Sequence, residues 1–90
     1  MGPTMCRVSD TVRSMHGRDG AIVLDIRQGQ MFNVNLVGSR ILELLKGEAS
    51  EAEIVDSIIH EFGVTRQIAE NDVQKFCEAL RKYHLIERAD

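Results

Sequence analysis

Hydrophobic and polar positions alternate in the first part of the chain and then change period. Ala21-Ile22-Val23-Leu24 is an unbroken apolar run, and Gln30–Val34 follows it across a glycine turn at Gly29. In that later segment Phe32 and Val34 share one strand face and Met31 and Asn33 the other, because strand side chains alternate. The pattern predicts a first strand over Val12–His16, a turn at Asp19-Gly20 and a second strand over about Gly20–Ile26. A three-residue loop, Arg27-Gln28-Gly29, leads to a third strand over Gln30–Val34. The left-handed position of that loop falls on Gly29, which has no Cβ to oppose it. The apolar middle of the second strand predicts cover on both faces or a central place between two neighbours.

From Leu36 onward the apolar residues recur at helical spacing. Asn35 suits the N-cap of a first helix over about Leu36–Lys46, with Val37, Ile41, Leu44 and Leu45 as its stripe and Gly47 as its stop. A second helix opens at Ser50, with Glu53 completing a capping box. It buries Ile54, Val55, Ile58, Ile59 and Phe62 and ends at Gly63. Thr65 caps a third helix over about Arg66–Tyr83. On that helix Ile68, Ala69, Val73, Phe76, Cys77, Ala79, Leu80 and Tyr83 cover an arc of roughly 180°, where one packing neighbour needs only about 100°. The surplus predicts a helix sandwiched between two elements, or a face that lines a groove. Asp72 lies inside this apolar arc. Leu85-Ile86 is expected to pack back on the core.

Residues 1–10 hold the only proline and little periodicity, and are expected to form a flexible N-terminal segment ahead of one domain over 11–88. A three-stranded antiparallel β-meander followed by three α-helices is an α+β fold, and its inventory is winged-helix-like.

Composition narrows the function classes. Ninety residues with 43% apolar and 28% charged content fit one domain with a modest core. There is no membrane-length apolar run and no secretory signal pattern at the start, so a cytoplasmic location is expected. A net charge of −3 argues against nucleic acid as the general partner. Cys6 and Cys77 lie far apart with no CxxC, as in a reduced cytosolic protein. His16, His60 and His84 have no ligand spacing, and no nucleophile motif or phosphate loop occurs, so no metal, no cofactor and no enzymatic activity are expected. Asp25 has Arg27 and Arg40 as candidate ion-pair partners.

Two binding classes remain. As a winged-helix DNA-binding regulator, the chain would use the third helix for recognition, though Glu70, Asp72 and Glu78 there accompany Arg66, Lys75, Arg81 and Lys82. As a peptide binder, it would offer the edge of the third strand, which no lysine or proline guards, with the third helix as pocket wall. The bland alternative places Phe32 and Val34 in the core and covers that edge with the N-terminal tail.

The run Val23-Leu24-Asp25, Gly29, Phe32-Asn33-Val34-Asn35, Gly38, Ile41 and Leu44-Leu45 resembles the PqqD-like proteins. So does the later run Glu53-Ile54-Val55, Phe62-Gly63-Val64, Asp72-Val73, Phe76, Leu80 and Leu85-Ile86. The likeness spans about residues 12–87. It departs at Leu42, where the family often has an aromatic, and at Leu36, where it often has proline. The resemblance implies a non-catalytic module that takes the leader segment of a ribosomally made precursor peptide as an added strand. The module then presents it to a modifying enzyme such as a radical-SAM maturase or a leader peptidase. By position, the implied binding strand is Met31, Phe32, Asn33 and Val34, and the implied wall is Asp72, Val73, Phe76, Ala79 and Leu80. Asp72 would take a hydrogen bond or a basic side chain from the leader, or else serve as a structural pair for Arg40 or as a cap. A monomer or weak dimer is expected.

Overall fold

A computed structural model describes residues 5–89. The elements are β1 (Met5–Val8), β2 (Val12–Gly17), β3 (Gly20–Asp25), β4 (Gln30–Asn35), α1 (Leu36–Lys46), α2 (Glu51–Phe62), α3 (Arg66–Lys82) and β5 (Ile86–Ala89). β2, β3 and β4 form an antiparallel sheet in that order, and β1 pairs with β5 in a separate two-stranded ribbon. The meander and the three helices stand where the hydrophobic pattern places them.

The ribbon is the addition. Met5 faces Ala89 and Val8 faces Ile86 within a stretch whose sequence gives no local reason for order. Four residues carry too little periodicity to announce a strand, and the partner lies at the far end of the chain. Residues 1–4, part of the segment expected to be flexible, lie outside the described residues.

Two turns fix the sheet. β2 and β3 are joined by Arg18-Asp19, with Gly17 opposite Gly20. Gly20 has φ +148, and a Cβ there would run into the Val34 carbonyl oxygen, so glycine lets β4 close against this corner. The β3–β4 loop is Ile26–Gly29, one residue longer than the spacing predicts, because Asp25 pairs directly with Gln30. Gly29 takes the left-handed conformation, φ 69. The Asp25 side chain organises the loop. Its carboxylate accepts from the Arg27 amide (3.0 Å), Gln28 Nε2 (2.8 Å) and Thr11 Oγ1 (3.2 Å). Arg40 instead holds Glu61 through Nε, at 2.9 and 3.1 Å.

Asp25 is wholly buried. Burial alone pushes its carboxyl up, but the hydrogen bonds from Arg27, Thr11 and Gln28 and the Arg27 charge outweigh this, and the group sits below its ordinary 3.8. Its folded value is below its unfolded value. Its contribution is therefore present above the unfolded value and is lost as pH falls through the folded one. Unfolding by urea at a series of pH values between 6 and 2 is expected to show stability dropping below about pH 4. The drop should be shallower in Asp25→Asn; equal slopes would remove this account.

The helix starts follow the sequence. The Asn35 side chain accepts from the Gly38 amide at 2.8 Å, Ser50 and Glu53 form a reciprocal capping box, and Thr65 accepts from Ile68. Gly63 ends α2 in the left-handed conformation. After α1 it is Glu48, φ 62, that turns left-handed, one residue beyond Gly47.

The core gathers Val12 and Val23 from the sheet, Ile41, Leu42 and Leu45 from α1, Ile54 and Ile58 from α2, and Val73 and Leu80 from α3. Leu42 is fully buried although it lies off the predicted stripe, because α1 packs against β3, α2 and α3 and needs a wide apolar face. Leu85 and Ile86 do return to the core. The far face of the sheet is different. β3 is central between two strands, yet Met15, Ile22, Leu24, Ile26 and Met31 stand exposed on its outer side.

Candidate functional site

The register decides which main-chain groups of β4 are committed. The Ile26 amide donates to the Thr11 carbonyl at 3.0 Å, marking Thr11 and Ile26 as a hydrogen-bonded pair. Such pairs alternate along an antiparallel ladder. Ile22 and Leu24 therefore serve β2, while Ala21, Val23 and Asp25 serve β4. Their partners are Val34, Phe32 and Gln30. The N–H and C=O groups of Met31 and Asn33 then point away from the sheet, as does the N–H of Asn35. β4 is an edge strand, and β1 pairs with β5 rather than with it. Among the described residues no backbone covers this edge.

α3 lies beyond it. The rings of Phe32 and Tyr83 meet with centroids 4.8 Å apart at an interplanar angle of 48°. A groove of about 310 Å³ opens between strand and helix, lined by Val23, Phe32, Asn33, Val34 and Asn35 on one side and Phe76, Ala79, Leu80, Tyr83 and Leu85 on the other. A second hollow of about 350 Å³ adjoins it through Asn35, Phe76 and Ala79 and adds Asp72 and Lys75. The helical wall is the stripe Asp72, Phe76, Ala79, Tyr83, whose spacing puts all four on one side of the helix. The neighbouring stripe, Ala69, Val73, Cys77 and Leu80, is buried in the core. The surplus apolar arc of α3 thus divides between core and groove.

Of the residues singled out from sequence, Phe32, Asn33, Val34, Phe76, Ala79 and Leu80 meet around the groove. Asp72 lies at its far end. Val73 is wholly buried and backs the wall instead of lining it, since one residue along a helix turns about 100° away from Asp72. The Met31 side chain is 70% exposed on the outer face, so only its main chain faces the edge. Tyr83, Leu85, Val23 and Asn35 were not singled out. Tyr83 was readable, because it continues the Phe76 stripe two turns on; Val23 and Leu85 reach the groove only through tertiary packing.

Asp72 makes no hydrogen bond or ion pair among the described residues. Arg40 is committed to Glu61, and Thr65 does the capping, so neither structural role expected for Asp72 is filled. The opposite sheet edge, β2, has a different setting. The Ser14 hydroxyl and His16 Nε2 are 2.9 Å apart, His16 Nδ1 is 2.6 Å from Ser39, and Lys46 Nζ donates to Ser14. Polar and charged side chains of α1 guard that edge, whereas β4 opens onto an apolar groove.

Among the described residues no three His, Cys, Asp or Glu side chains are placed to hold a metal ion. Among the described residues no helix is long and apolar enough to cross a membrane.

The PqqD family, described as coenzyme PQQ synthesis protein D, matches residues 20–86. A structure of TbiB1 in complex with the TbiA(beta) leader peptide is 39% identical, with 93% of this chain and 99% of that chain covered and a TM-score of 0.83. A structure of lasso peptide synthetase B1 complexed with the leader peptide shares the fold at 22% identity, covering 91% and 96% of the two chains, with a TM-score of 0.80. No curated protein gave a match. With the family match running from the start of β3 to the start of β5, the chain belongs to the PqqD family.

Proposed function

We propose that this domain binds the leader segment of a ribosomally made precursor peptide by strand addition to β4 and presents it to a modifying enzyme, without doing chemistry itself. The observation that carries this reading is the unclaimed β4 edge opening onto the apolar groove of α3. An extended peptide takes its affinity from the main-chain groups of Met31 and Asn33. It takes its selectivity from alternate side chains placed against Phe32, Val34, Phe76, Ala79, Leu80 and Tyr83. Val73 supports that wall from within. The leader peptides in both similar complexes support the choice of guest.

Asp72 is the fixed charge at the open end. It is half-buried on a short side chain, while Lys75 beside it is exposed and free to swing into solvent. A basic side chain of the guest pairs with it best. The enzyme partner, a radical-SAM maturase or a leader peptidase in the cytoplasm, docks on the exposed apolar face of the sheet. Met15, Ile22 and Leu24 there are continuous with Met31 on β4, next to the guest strand. The flank of α3 exposed to solvent mixes Glu70 and Glu78 with Lys75, Arg81 and Lys82, and so offers no basic stripe for DNA.

The test is a titration with the TbiA(beta) leader and with the leader of whichever precursor is encoded beside this chain, followed by amide NMR. Saturable binding is expected, with the largest shifts at Met31, Asn33 and Asn35. Asp72→Asn is expected to weaken a leader carrying a basic residue at the facing position by roughly fivefold, less at high salt. Shifts confined to other elements, or no uptake of either peptide, would defeat the reading.

A further inference from the structure

We infer that Gly38 is the spacer that sets the width of the peptide groove. This rests on the strand-addition reading and adds a positioning residue to it. Gly38 lies in the first turn of α1, buried where α1, the end of β4 and the middle of α3 converge. A Cβ on it would stand 2.5 Å from Val34 Cγ1, 2.8 Å from Phe76 Cε1 and 3.1 Å from Phe76 Cδ1. Val34 and Phe76 are the facing walls of the groove. The contact between them therefore runs over a single hydrogen atom.

The need for glycine here is steric. Gly38 is not among the residues with positive φ, and alanine is the better helix former. Its backbone cannot retreat easily, because its amide donates to the Asn35 cap at 2.8 Å. The Val34 main chain cannot retreat either, since it pairs with Ala21 and its carbonyl lies against Gly20, so the 2.5 Å contact is relieved only by turning the Val34 side chain toward the groove. Phe76 yields toward open space and not into the core, on the side of the groove and of the adjoining hollow that Gly38 also lines. Ile41 and Val73 fill the core beside it at 1% and 0% exposure, while its own ring is partly exposed to the groove. A methyl at position 38 turns that ring into the space the guest strand needs.

The experiment measures affinity by fluorescence anisotropy, using the labelled leader taken up in the titration above, TbiA(beta) or the neighbouring precursor's. Four proteins are compared: wild type, Gly38→Ala, Phe76→Leu and the double variant, each with its melting temperature. Gly38→Ala is expected to weaken binding about tenfold or more, and Phe76→Leu by only a few-fold. The double variant is expected to bind no more weakly than Phe76→Leu alone, because the smaller side chain makes room both for the methyl and for the Val34 side chain it turns aside. A purely structural role for Gly38 predicts additive losses that follow the melting temperatures. If Gly38→Ala does not fold, the comparison of Phe76→Leu with the double variant decides in the same way. Wild-type affinity in Gly38→Ala, or additive losses in the double variant, overturns the spacer and leaves strand addition standing. Failure of the wild type to take up either leader defeats strand addition itself.

Discussion

Asn33→Pro is expected to weaken leader binding by about tenfold to a hundredfold while the domain stays folded. The N–H of Asn33 points away from β3, so its loss removes no bond of the native sheet. Proline is tolerated on an edge strand when its missing N–H faces outward, and the preceding residue is already extended. For the guest the same change removes a donor from the middle of the edge and sets a ring where the incoming strand must lie at about 4.8 Å. The lost main-chain bond accounts for about 1 kcal/mol, and the displaced neighbouring bond raises the loss to about 2–3 kcal/mol. Calorimetry of the folded variant against the leader checks the first half, and circular dichroism the second. Proline at Val34, whose amide bonds to Ala21, should instead disturb the sheet. Undiminished binding by a folded Asn33→Pro protein would leave no place for strand addition.

Leu42→Ala is expected to cost about 2–5 kcal/mol of stability. A ninety-residue domain has roughly 5–13 kcal/mol in all, so this change takes a large share of it. The side chain is fully buried on α1, in a core it shares with Ile54, Ile58 and Val73. Removing it leaves a cavity whose lining belongs to several elements, none of which can close it alone. The midpoint of thermal unfolding is expected to fall on the order of 10–40 °C. A fall of less than about 4 °C would mean that the helices re-pack around the gap at little cost. The two substitutions separate the roles of the molecule: one removes the guest and keeps the host, the other removes the host.

The parts of the fold legible in the sequence were those with a local cause. Asn35, Ser50 with Glu53, and Thr65 each satisfy amides within three residues of themselves, so the three helix starts could be read directly. The strand face shared by Phe32 and Val34 follows from a period of two. The wide apolar arc of α3 called for either a second packing neighbour or a groove, and left the choice between them open. The β1–β5 ribbon was not legible, because its two halves lie at opposite ends of the chain and neither carries a pattern. The extra residue in the β3–β4 loop was missed because it depends on the side-chain bonds of Asp25, not on turn composition.

The site divides in the same way. Residue types and spacing marked the β4 segment and a surplus apolar face on α3, since alternation and helical periodicity are properties of the chain itself; the individual wall residues came from the resemblance to the PqqD-like proteins. They could not separate Val73 from Phe76, which share the apolar arc but face the core and the groove. That division depends on how far α3 is rotated against α1 and β4, and packing alone sets the rotation. Nor could sequence say which amides of β4 are free. One added or missing residue in the β2–β3 pairing would exchange the committed set for the open one, and only the register of three strands together fixes it. Elements and their apolar faces arise from local chemistry along the chain; which main-chain groups and which ring face the groove is set by packing, because those depend on distances between segments that no local interaction specifies.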